Sequence, residues 1–219
     1  MSTIAELVDN VTGFYTRPDL EDRILAYAKT ALYCAHKVDK FARDLSTVTL
    51  VNPTILEGKV TLSISLDVPR LRDVRSIDLF REYTGTTPNF IATESSKIIA
   101  NPGYQNLNDL GSDTNYYGFR FEKLYSIAGT TLNLTGVDSA TRAIRLSGLF
   151  LPTYILNTLT LLWETNSWIM IECPELVEAY MRIRACEIIA DDKKLRAAQN
   201  NLMFCRRDIL STYITELLK

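Results

Sequence analysis

The chain contains 219 residues, 47% of them hydrophobic and 23% charged, which are ordinary values for a globular protein and exclude wholesale disorder. Its 24 basic and 26 acidic side chains give a formal net charge of −2 at pH 7. This balance gives no support to general electrostatic binding of nucleic acid or acidic lipid, because such binding needs a clear excess of basic residues.

The N-terminal sequence MSTIAELVDNV has neither the basic start nor the long apolar centre of a secretory signal. The most apolar stretch, residues 146–162, is interrupted by Ser147, Gly148, Pro152 and several threonines, so we do not expect it to cross a bilayer as a helix. The cysteines form no CxxC pair, and we expect reduced, mostly buried thiols in a reducing compartment at Cys34, Cys173, Cys186 and Cys205.

Helical spacing dominates the first 45 residues. Residues 3–11 predict a short helix whose apolar face consists of Ile4, Leu7, Val8 and Val11. Pro18, which is followed by acidic residues, is well placed in the first turn of a second helix. Small and apolar residues then keep helical spacing to about Leu45, and they predict one long helix over residues 18–45.

The period changes at Ser46, and residues 46–173 predict a β-rich domain. Alternating or β-branched segments are separated by turn residues such as Pro53 and Gly58, and Gly129 stands where a hairpin turn is expected. Residues 84–115 lack periodicity and predict a long excursion, with a short helix near residues 106–110. The predicted strands cover residues 47–51, 59–66, 70–83, 117–127, 131–134, 143–149 and 158–163.

Helical spacing returns at Pro174, which is a favourable first-turn residue with Glu175 beside it. The acidic pair Asp191-Asp192 indicates a joint in the last segment, so two helices are favoured over one. The predicted fold class is α+β, with a helical bundle formed by residues 1–45 and 174–219 and an inserted, mostly antiparallel β domain at residues 46–173.

The chain has a single histidine, His36, and it lies within the long predicted helix. A hydrolase triad requires a carboxylate beside the imidazole. The residues four positions away on the helix are Leu32 and Lys40, so the predicted helix face supplies none. The motifs of nucleotide binding and of zinc proteolysis are absent from the sequence. We read Asp191-Asp192 as an acidic turn in preference to a cation site. We therefore expect no enzymatic activity, no metal and no cofactor.

Arginines concentrate near the third predicted strand, at Arg70, Arg72, Arg75 and Arg81, with several aspartates among them. Because strand side chains alternate, Arg70 and Arg72 are expected on one face and Arg75 on the other. A salt-bridged solvent face is favoured over a phosphate-binding track. In a ring of several chains, the same arginines would line a channel or a subunit contact.

Two further segments are candidates for contact with a partner. The aromatic residues between Tyr116 and Tyr125 are expected in the sheet core, with a subunit contact as the alternative. The last helix is amphipathic, and its apolar side is expected either to pack on its own helical body or to insert into a partner's groove. Its candidate docking residues are Arg206, Arg207, Tyr213, Ile214, Leu217 and Leu218.

Three segments follow one another from Tyr116 onward. They are the aromatic strand YYGFRFEKLYSIAGTTLNL, a strand that ends in Leu149–Tyr154, and the segment SWIMIECPELVEAYMRIRACEIIADDKKLRAAQNNLMFCRRDIL. Their order resembles the head-to-tail adaptor proteins of short-tailed and related phages, the connector subunits that form a ring beneath the portal. In that family a Pro-led helix, an acidic joint and a final helix follow a small β domain, which itself follows an N-terminal helix like residues 18–45.

The resemblance implies a structural subunit of a homo-oligomeric ring, commonly a dodecamer, in the neck of a virion, with assembly in the host cytoplasm. Such a ring docks on the portal protein by its terminal helical segment and joins it to a tail or nozzle protein. It leaves a channel through which DNA passes without specific binding, and no membrane is involved. Two other classes stay open: another neck or tail component, such as a tail terminator or a gatekeeper, and a small intracellular enzyme or regulatory domain.

Overall fold

The computed structural model describes residues 3–80, 95–100, 115–116, 119–120, 124–137, 139–160 and 162–217. The helices are α1 (Ile4–Tyr15), α2 (Glu21–His36), α3 (Trp168–Glu172), α4 (Pro174–Ile189) and α5 (Asp192–Leu217). The strands are β1 (Leu45–Val51), β2 (Lys59–Ser63), β3 (Leu71–Phe80), β4 (Ser95–Ala100), β5 (Asn115–Tyr116), β6 (Phe119–Arg120), β7 (Leu124–Ala128), β8 (Thr131–Thr135), β9 (Ala143–Phe150), β10 (Tyr154–Leu156) and β11 (Trp163–Thr165). These helices and largely antiparallel sheets confirm the predicted α+β class.

The chain divides into two compact units. Unit 1 combines Met1–Asp44 with Leu151–Lys219, and unit 2 is Leu45–Phe150. The sequence placed the end of the β-rich region at residue 173, whereas the structure places residues 151–173 in unit 1. The reason is packing, because this segment buries Tyr154, Ile169 and Met170 in the apolar core of unit 1.

Local sequence signals fix both ends of α1. Thr3 caps the helix: the N–H of Glu6 donates to Thr3 Oγ1 (3.1 Å), and the N–H of Thr3 donates to Glu6 Oε2 (2.8 Å). The helix ends where Thr16 takes a left-handed conformation with φ of 50°. It buries the predicted apolar stripe of Ile4, Leu7, Val8 and Val11.

α2 ends at His36, so the helix predicted over residues 18–45 is wrong beyond that point. A 3-10 turn (Pro18–Leu20) precedes α2, and a second one (Ala42–Asp44) follows it. Between them the chain turns back, and Val38 and Phe41 still pack into the core of unit 1. Apolar residues in a turn can pack into a core even though they are not helical. Here they happen to be three or four positions apart, as in a helix, and the sequence pattern therefore extended the predicted helix to Leu45.

The acidic joint separates α4 from α5, as the sequence predicts. Ala190 takes a left-handed conformation with φ of 57° and ends α4. Asp191 then caps α5, since it precedes the first helical residue and its Oδ1 accepts a hydrogen bond from the N–H of Lys194 (3.0 Å). This backbone hydrogen bond is the main cause of the lowered pKa of the Asp191 carboxyl. The residues of α5 that pack into the core of unit 1 include Leu195, Ala198, Leu202, Cys205 and Ile209.

Unit 2 contains a sheet whose strands lie in the order β1-β9-β3-β4-β7-β8-β2. Its pairings are antiparallel except for the parallel pair of β4 and β7. β7 and β8 form the predicted hairpin around Gly129, whose φ of 59° suits glycine. The apolar core of this unit includes Val60, Leu62, Val74, Ile77, Leu132, Leu134, Ile144 and Leu146.

The segments between the main strands also differ from the sequence expectation. The strand predicted at residues 158–163 is wrong, because most of that stretch is the turn between β10 and β11, which form a separate two-stranded hairpin. The short helix α3 was not predicted. β4 lies inside the excursion predicted over residues 84–115, and the helix predicted near residues 106–110 lies outside the described residues.

Two β-bulges interrupt β3. The register of β3 with β9 skips Arg72 and Arg75, and each extra residue breaks the two-residue alternation of the strand. The side chains that reach the core are therefore Leu71, Val74, Ile77 and Leu79. For the same reason, the alternation that placed Arg70 and Arg72 on one face and Arg75 on the other does not hold in this part of the strand.

Gly148 in β9 allows the bulged strand to approach closely. A Cβ atom at this position would lie 2.2 Å from the main-chain oxygen of Asp73 and 3.0 Å from Cδ1 of Leu71. No side chain tolerates a main-chain oxygen at the first of these distances. The pairing of β9 with the bulged part of β3 therefore requires glycine here.

We expect Gly148→Ala to destabilise the chain by about 1–3 kcal/mol, because the added methyl group must push β3 away from β9. Ser147→Ala, at the adjacent half-buried position of the same strand, is the matched control. Denaturant unfolding followed by circular dichroism measures both variants. An unchanged midpoint for Gly148→Ala would contradict the close approach.

Candidate functional site

Exposed apolar side chains of unit 1 concentrate on the hairpin of β10 and β11. Leu159, in its turn, exposes 93% of its surface, and Glu164 is the one charged residue in the sequence from 151 to 166. The other exposed large apolar residues of the hairpin are Ile155, Leu156, Leu162 and Trp163. A protein surface rarely gathers so many apolar groups on one element unless a partner covers them.

Asn157 holds the turn of this hairpin in one conformation. Its Oδ1 accepts a hydrogen bond from the N–H of Leu159 (2.9 Å), and its Nδ2 donates to Glu164 Oε1 (2.6 Å). At the open end of the hairpin, Asn166 Oδ1 accepts from the N–H (2.6 Å) and the hydroxyl (2.8 Å) of Thr153. The apolar surface is therefore preorganised, which lowers the entropy cost of binding a partner.

Tyr154 joins the hairpin to the core of unit 1. Its ring is buried in that core and stacks on Trp163 at a centroid distance of 4.8 Å. Burial raises the pKa of the Tyr154 hydroxyl to about 12, so the hydroxyl keeps its proton and the ring acts as an apolar anchor.

α5 presents a second apolar surface. Met203 and Phe204 are both exposed, and Phe204 leaves 71% of its surface open. Phe204 also lines an open cleft of about 520 Å³, whose other lining residues are Glu175, Cys205, Arg207, Asp208 and Ser211. The cleft thus combines an aromatic wall with charged groups of both signs, which is the composition of the rim of an interface and not of its apolar centre.

Cys205 is a packing residue of this cleft rather than a nucleophile. Burial raises the pKa of its thiol, and the charge of Glu175 raises it further, so the reactive thiolate is disfavoured. The structure has no disulfide among Cys34, Cys173, Cys186 and Cys205. Cys186 is buried and the other three are half-buried, so the expectation of mostly buried thiols is wrong.

Five of the six residues predicted to dock on a partner lie in the second half of α5. Arg206 and Arg207 are exposed. Tyr213, Ile214 and Leu217 belong to the helix, but their side chains lie outside the described part of the structure. Leu218 lies outside it entirely.

Met203 and Phe204 are exposed residues that the sequence reasoning did not select. The signal was present as the run of four apolar residues from Leu202 to Cys205. One face of a helix cannot bury four consecutive residues, so part of such a run must point away from the core. In the structure Leu202 and Cys205 pack inward, and the two residues between them stay exposed.

The arginines predicted near β3 occupy irregular positions. Arg70 precedes the strand with φ of 69°, Arg72 and Arg75 are the extra residues of the two bulges, and Arg81 lies outside the described residues. Their role in a channel or a subunit contact stays a prediction.

An ion pair does cross this part of the sheet, but it uses another arginine. Arg145 in β9 places Nη2 3.0 Å from Asp78 Oδ2 in β3, and its guanidinium lies 5.0 Å from the centroid of the Phe80 ring. Both contacts fix the position of β3 beside β9.

His36 lies in a buried hydrogen-bond network of unit 1. Its Nδ1 is 2.8 Å from Asp44 Oδ1, and its Nε2 is 2.7 Å from Ser167 Oγ. The indole N–H of Trp168 donates to the same Asp44 oxygen (2.8 Å), and the N–H of Met170 donates to Ser167 Oγ (3.4 Å). Asp44 Oδ1 accepts hydrogen bonds, so we assign the proton of the imidazole to Nδ1, which donates to Asp44. Nε2 then accepts a hydrogen bond from the Ser167 hydroxyl.

Serine, histidine and carboxylate follow one another here as they do in a hydrolase triad. His36 exposes 1% of its surface and Ser167 exposes 2%, so a substrate carbonyl cannot reach Ser167 Oγ. Ser167 is also the N-cap of α3. The arrangement therefore joins α2, the turn that follows it and α3.

The sequence-based view of His36 was wrong about its surroundings, because it applied helical spacing beyond the end of the helix. Asp44 is eight residues further along the chain, and the turn after α2 brings it back to the imidazole. Ser167 belongs to the second stretch of unit 1, residues 151–219, and is 131 positions from His36 in the sequence. A serine directly before an apolar run is a recognisable N-cap, but this signal does not reveal its contact with His36.

Among the residues that the structure describes, no three His, Cys, Asp or Glu side chains are grouped so that they could hold a metal ion. In the same part of the chain, no helix has both the length and the apolar character needed to span a bilayer.

We expect His36→Ala to destabilise unit 1 by about 3–5 kcal/mol, because it leaves the buried carboxylate of Asp44 without its imidazole partner. Lys37→Ala, at the next and exposed position, is the control. Urea unfolding of the two variants gives the comparison. Equal losses of stability would show that the network does not hold the fold together.

No protein-family model matches the chain, and no curated protein is significantly similar to it.

Proposed function

We propose that the chain is a structural head-to-tail adaptor of a tailed phage, a ring subunit that docks on the portal and joins it to the tail. In this proposal the two ends of the chain form the helical body that carries the docking surfaces, and the β domain inserted between them is an accessory that meets neighbours. The order of elements supports the proposal, since strands are followed by a Pro-led helix, an acidic joint and a final helix. The net charge of −2 suits a channel that lets DNA pass without holding its phosphates.

The observation that carries the proposal is the pair of apolar surfaces that unit 1 leaves open, one on the hairpin and one on α5. Covering a side chain such as Leu159 or Phe204 contributes roughly 1.5–3 kcal/mol when burial is complete. A subunit with two such surfaces on different elements is suited to two different contacts. A ring subunit needs both a heterologous contact with its neighbour and a contact with the portal.

The charges beside each surface support the assignment of partners. Arg206 and Arg207 add basic groups to the apolar surface of α5, which we assign to the portal. The hairpin carries Glu164 as its one charge, and Asn157 already binds that carboxylate. Because the centre of a subunit interface is depleted of charged residues, we assign the hairpin to the neighbouring subunit.

Deleting residues 206–219 is expected to abolish docking on the portal, because the deletion removes the basic and apolar end of α5. The deletion also removes Ile209, which is buried, so a gentler variant is needed. Arg206→Glu combined with Arg207→Glu changes exposed residues and is expected to weaken docking roughly tenfold or more, a loss of about 1.4 kcal/mol. Arg196→Glu, exposed earlier on the same helix, is the control.

Electron micrographs of portal protein mixed with each variant measure this docking. Decoration of portals by the double variant at the wild-type level would remove α5 from the docking surface. If the unmodified chain binds tail-tube protein and leaves portals bare, the chain is another neck or tail component instead.

The hairpin assignment predicts that Leu159→Asp prevents closure of the ring, because it places a carboxylate at the centre of the subunit contact. The fold is expected to be unchanged, since Leu159 is almost fully exposed. Thr30→Asp adds the same charge at an exposed position of α2 and is expected to leave ring closure intact. Mass measurement of the complexes on the portal counts the subunits, and complete rings of Leu159→Asp chains would contradict the assignment.

A further inference from the structure

β1 is an edge strand of the sheet in unit 2. In the part of the chain that the structure describes, it pairs with β9 alone and in an unbroken register. Its sequence, LSTVTLV, contains no charged residue, proline or glycine. Edge strands normally carry such residues, or bulges, which prevent them from pairing with another chain. The apolar residues at its two ends, Leu45 and Val51, expose 51% and 43% of their surfaces.

The opposite edge of the same sheet, β2, is closed by its own chain. Lys59 uses its N–H and C=O in hydrogen bonds with Leu56 (2.8 and 2.9 Å). The N–H of Ser63 donates to Asp67 Oδ2 (2.7 Å), and its C=O accepts from the N–H of Asp67 (2.8 Å). These contacts leave Thr61 as the outward-facing position between them, which is too little for an extended partner to pair with.

Alternate residues of β1 point their main-chain groups away from β9. The N–H of Asn52 donates to the C=O of Arg142 (2.7 Å), on the β9 side. The C=O of Val51 belongs to the same planar peptide and therefore points the opposite way. By the alternation of an antiparallel strand, the outward row of N–H and C=O groups belongs to Leu45, Thr47, Thr49 and Val51. An extended strand is the ligand that satisfies such a row.

We propose that the open edge of β1 binds β1 of a second copy of this chain, in an antiparallel pair centred on Val48. In this register the outward residues pair with one another, Leu45 with Val51 and Thr47 with Thr49 of the second copy. Both residues of each hydrogen-bonded pair exchange N–H and C=O, which gives roughly eight main-chain hydrogen bonds across the two-fold axis.

The strand is complementary to itself in this register. The Leu–Val and Thr–Thr pairs are favourable cross-strand neighbours, and the exposed ends of the strand cover each other. Val48 and Leu50 pack against the core of unit 2, so the pairing continues the apolar face of one sheet into the next. Because β1 carries no charged residue, a charged partner strand would form no ion pair with it. Such a strand therefore has no advantage over a second copy of β1.

This contact is independent of the proposed function. A two-fold pair joins the same surface on both copies and closes on itself, so it cannot be the head-to-tail contact of a ring. We assign the pairing of β1 strands to the free protein, before a ring assembles. Failure of the pairing leaves the adaptor proposal standing, and failure of portal docking leaves the pairing standing.

A new cysteine at the centre of the pair tests the register directly. Opposed residues of a non-hydrogen-bonded pair have Cα atoms about 4.5 Å apart, within the range of a disulfide. Val48→Cys is therefore expected to form a disulfide-linked dimer under mild oxidation. Thr61→Cys, on the closed edge, is the matched control and is expected to stay at the background set by the native cysteines. Equal cross-linking of both variants, or none with Val48→Cys, would overturn the proposal.

Paired charges give a second test that needs no cross-link. Thr47→Lys with Thr49→Lys places like charges opposite each other in the two copies, whereas Thr47→Lys with Thr49→Glu places opposite charges there. Sedimentation velocity is expected to show a dimer dissociation constant roughly tenfold higher or more for the first variant, and unchanged or lower for the second. Circular dichroism checks that both variants fold. The same dissociation constant for both variants, or a monomeric unmodified chain at all concentrations, would contradict the pairing.

Discussion

Unit 1 is built from two stretches of chain, and the imidazole of His36 is where these stretches meet with the most specific geometry. Asp44, from the first stretch, and Ser167, from the second, bind opposite nitrogens of one ring. Apolar burial around the network supplies most of the stability, but it is non-directional and tolerates several alignments. The buried hydrogen bonds are directional, and any other alignment of the two stretches would take the partners away from both nitrogens of the imidazole. The hairpin and α5 both belong to the second stretch, so the position of each surface in unit 1 depends on this alignment.

The surfaces that the molecule leaves open differ in chemistry, and each follows from a local constraint. α5 carries more consecutive apolar residues than one helix face can bury, so Met203 and Phe204 remain outside. The hairpin has a polar frame, built by Asn157 and Asn166, that supports apolar side chains without covering them. β1 leaves open mainly its backbone. Side chains select a partner by shape and polarity, whereas a free strand edge selects any strand of suitable register.

Sequence reasoning succeeded where a signal is local. The start of α4 at Pro174, the joint at Asp191 and the turn at Gly129 each depend on the backbone preference of one or two residues, and the structure has all three. It failed where distant chain decides the outcome. Nothing near His36 reports that Ser167 will lie against it, and the bulges of β3 are stabilised by the absence of a side chain at Gly148 in another strand. The same holds for the candidate site. The amphipathic character of α5 can be read from its sequence pattern, whereas the exposure of the hairpin depends on how Tyr154 at its base packs into the core of unit 1.

The hydrogen bonds that hold the turn at Asn157 have a consequence for the life of the chain in the cell. A binding loop that stays disordered until its partner arrives hides its apolar groups among many conformations, but this turn displays them from the moment that the domain folds. Newly made molecules would then be prone to adhere to one another or to chaperones until a partner covers the turn. In the proposed ring that partner is a neighbouring copy of the chain, brought into place by the portal, so the supply of portal protein sets the safe level of the free protein. Production of the chain by itself should meet a concentration ceiling that co-expression with portal protein removes.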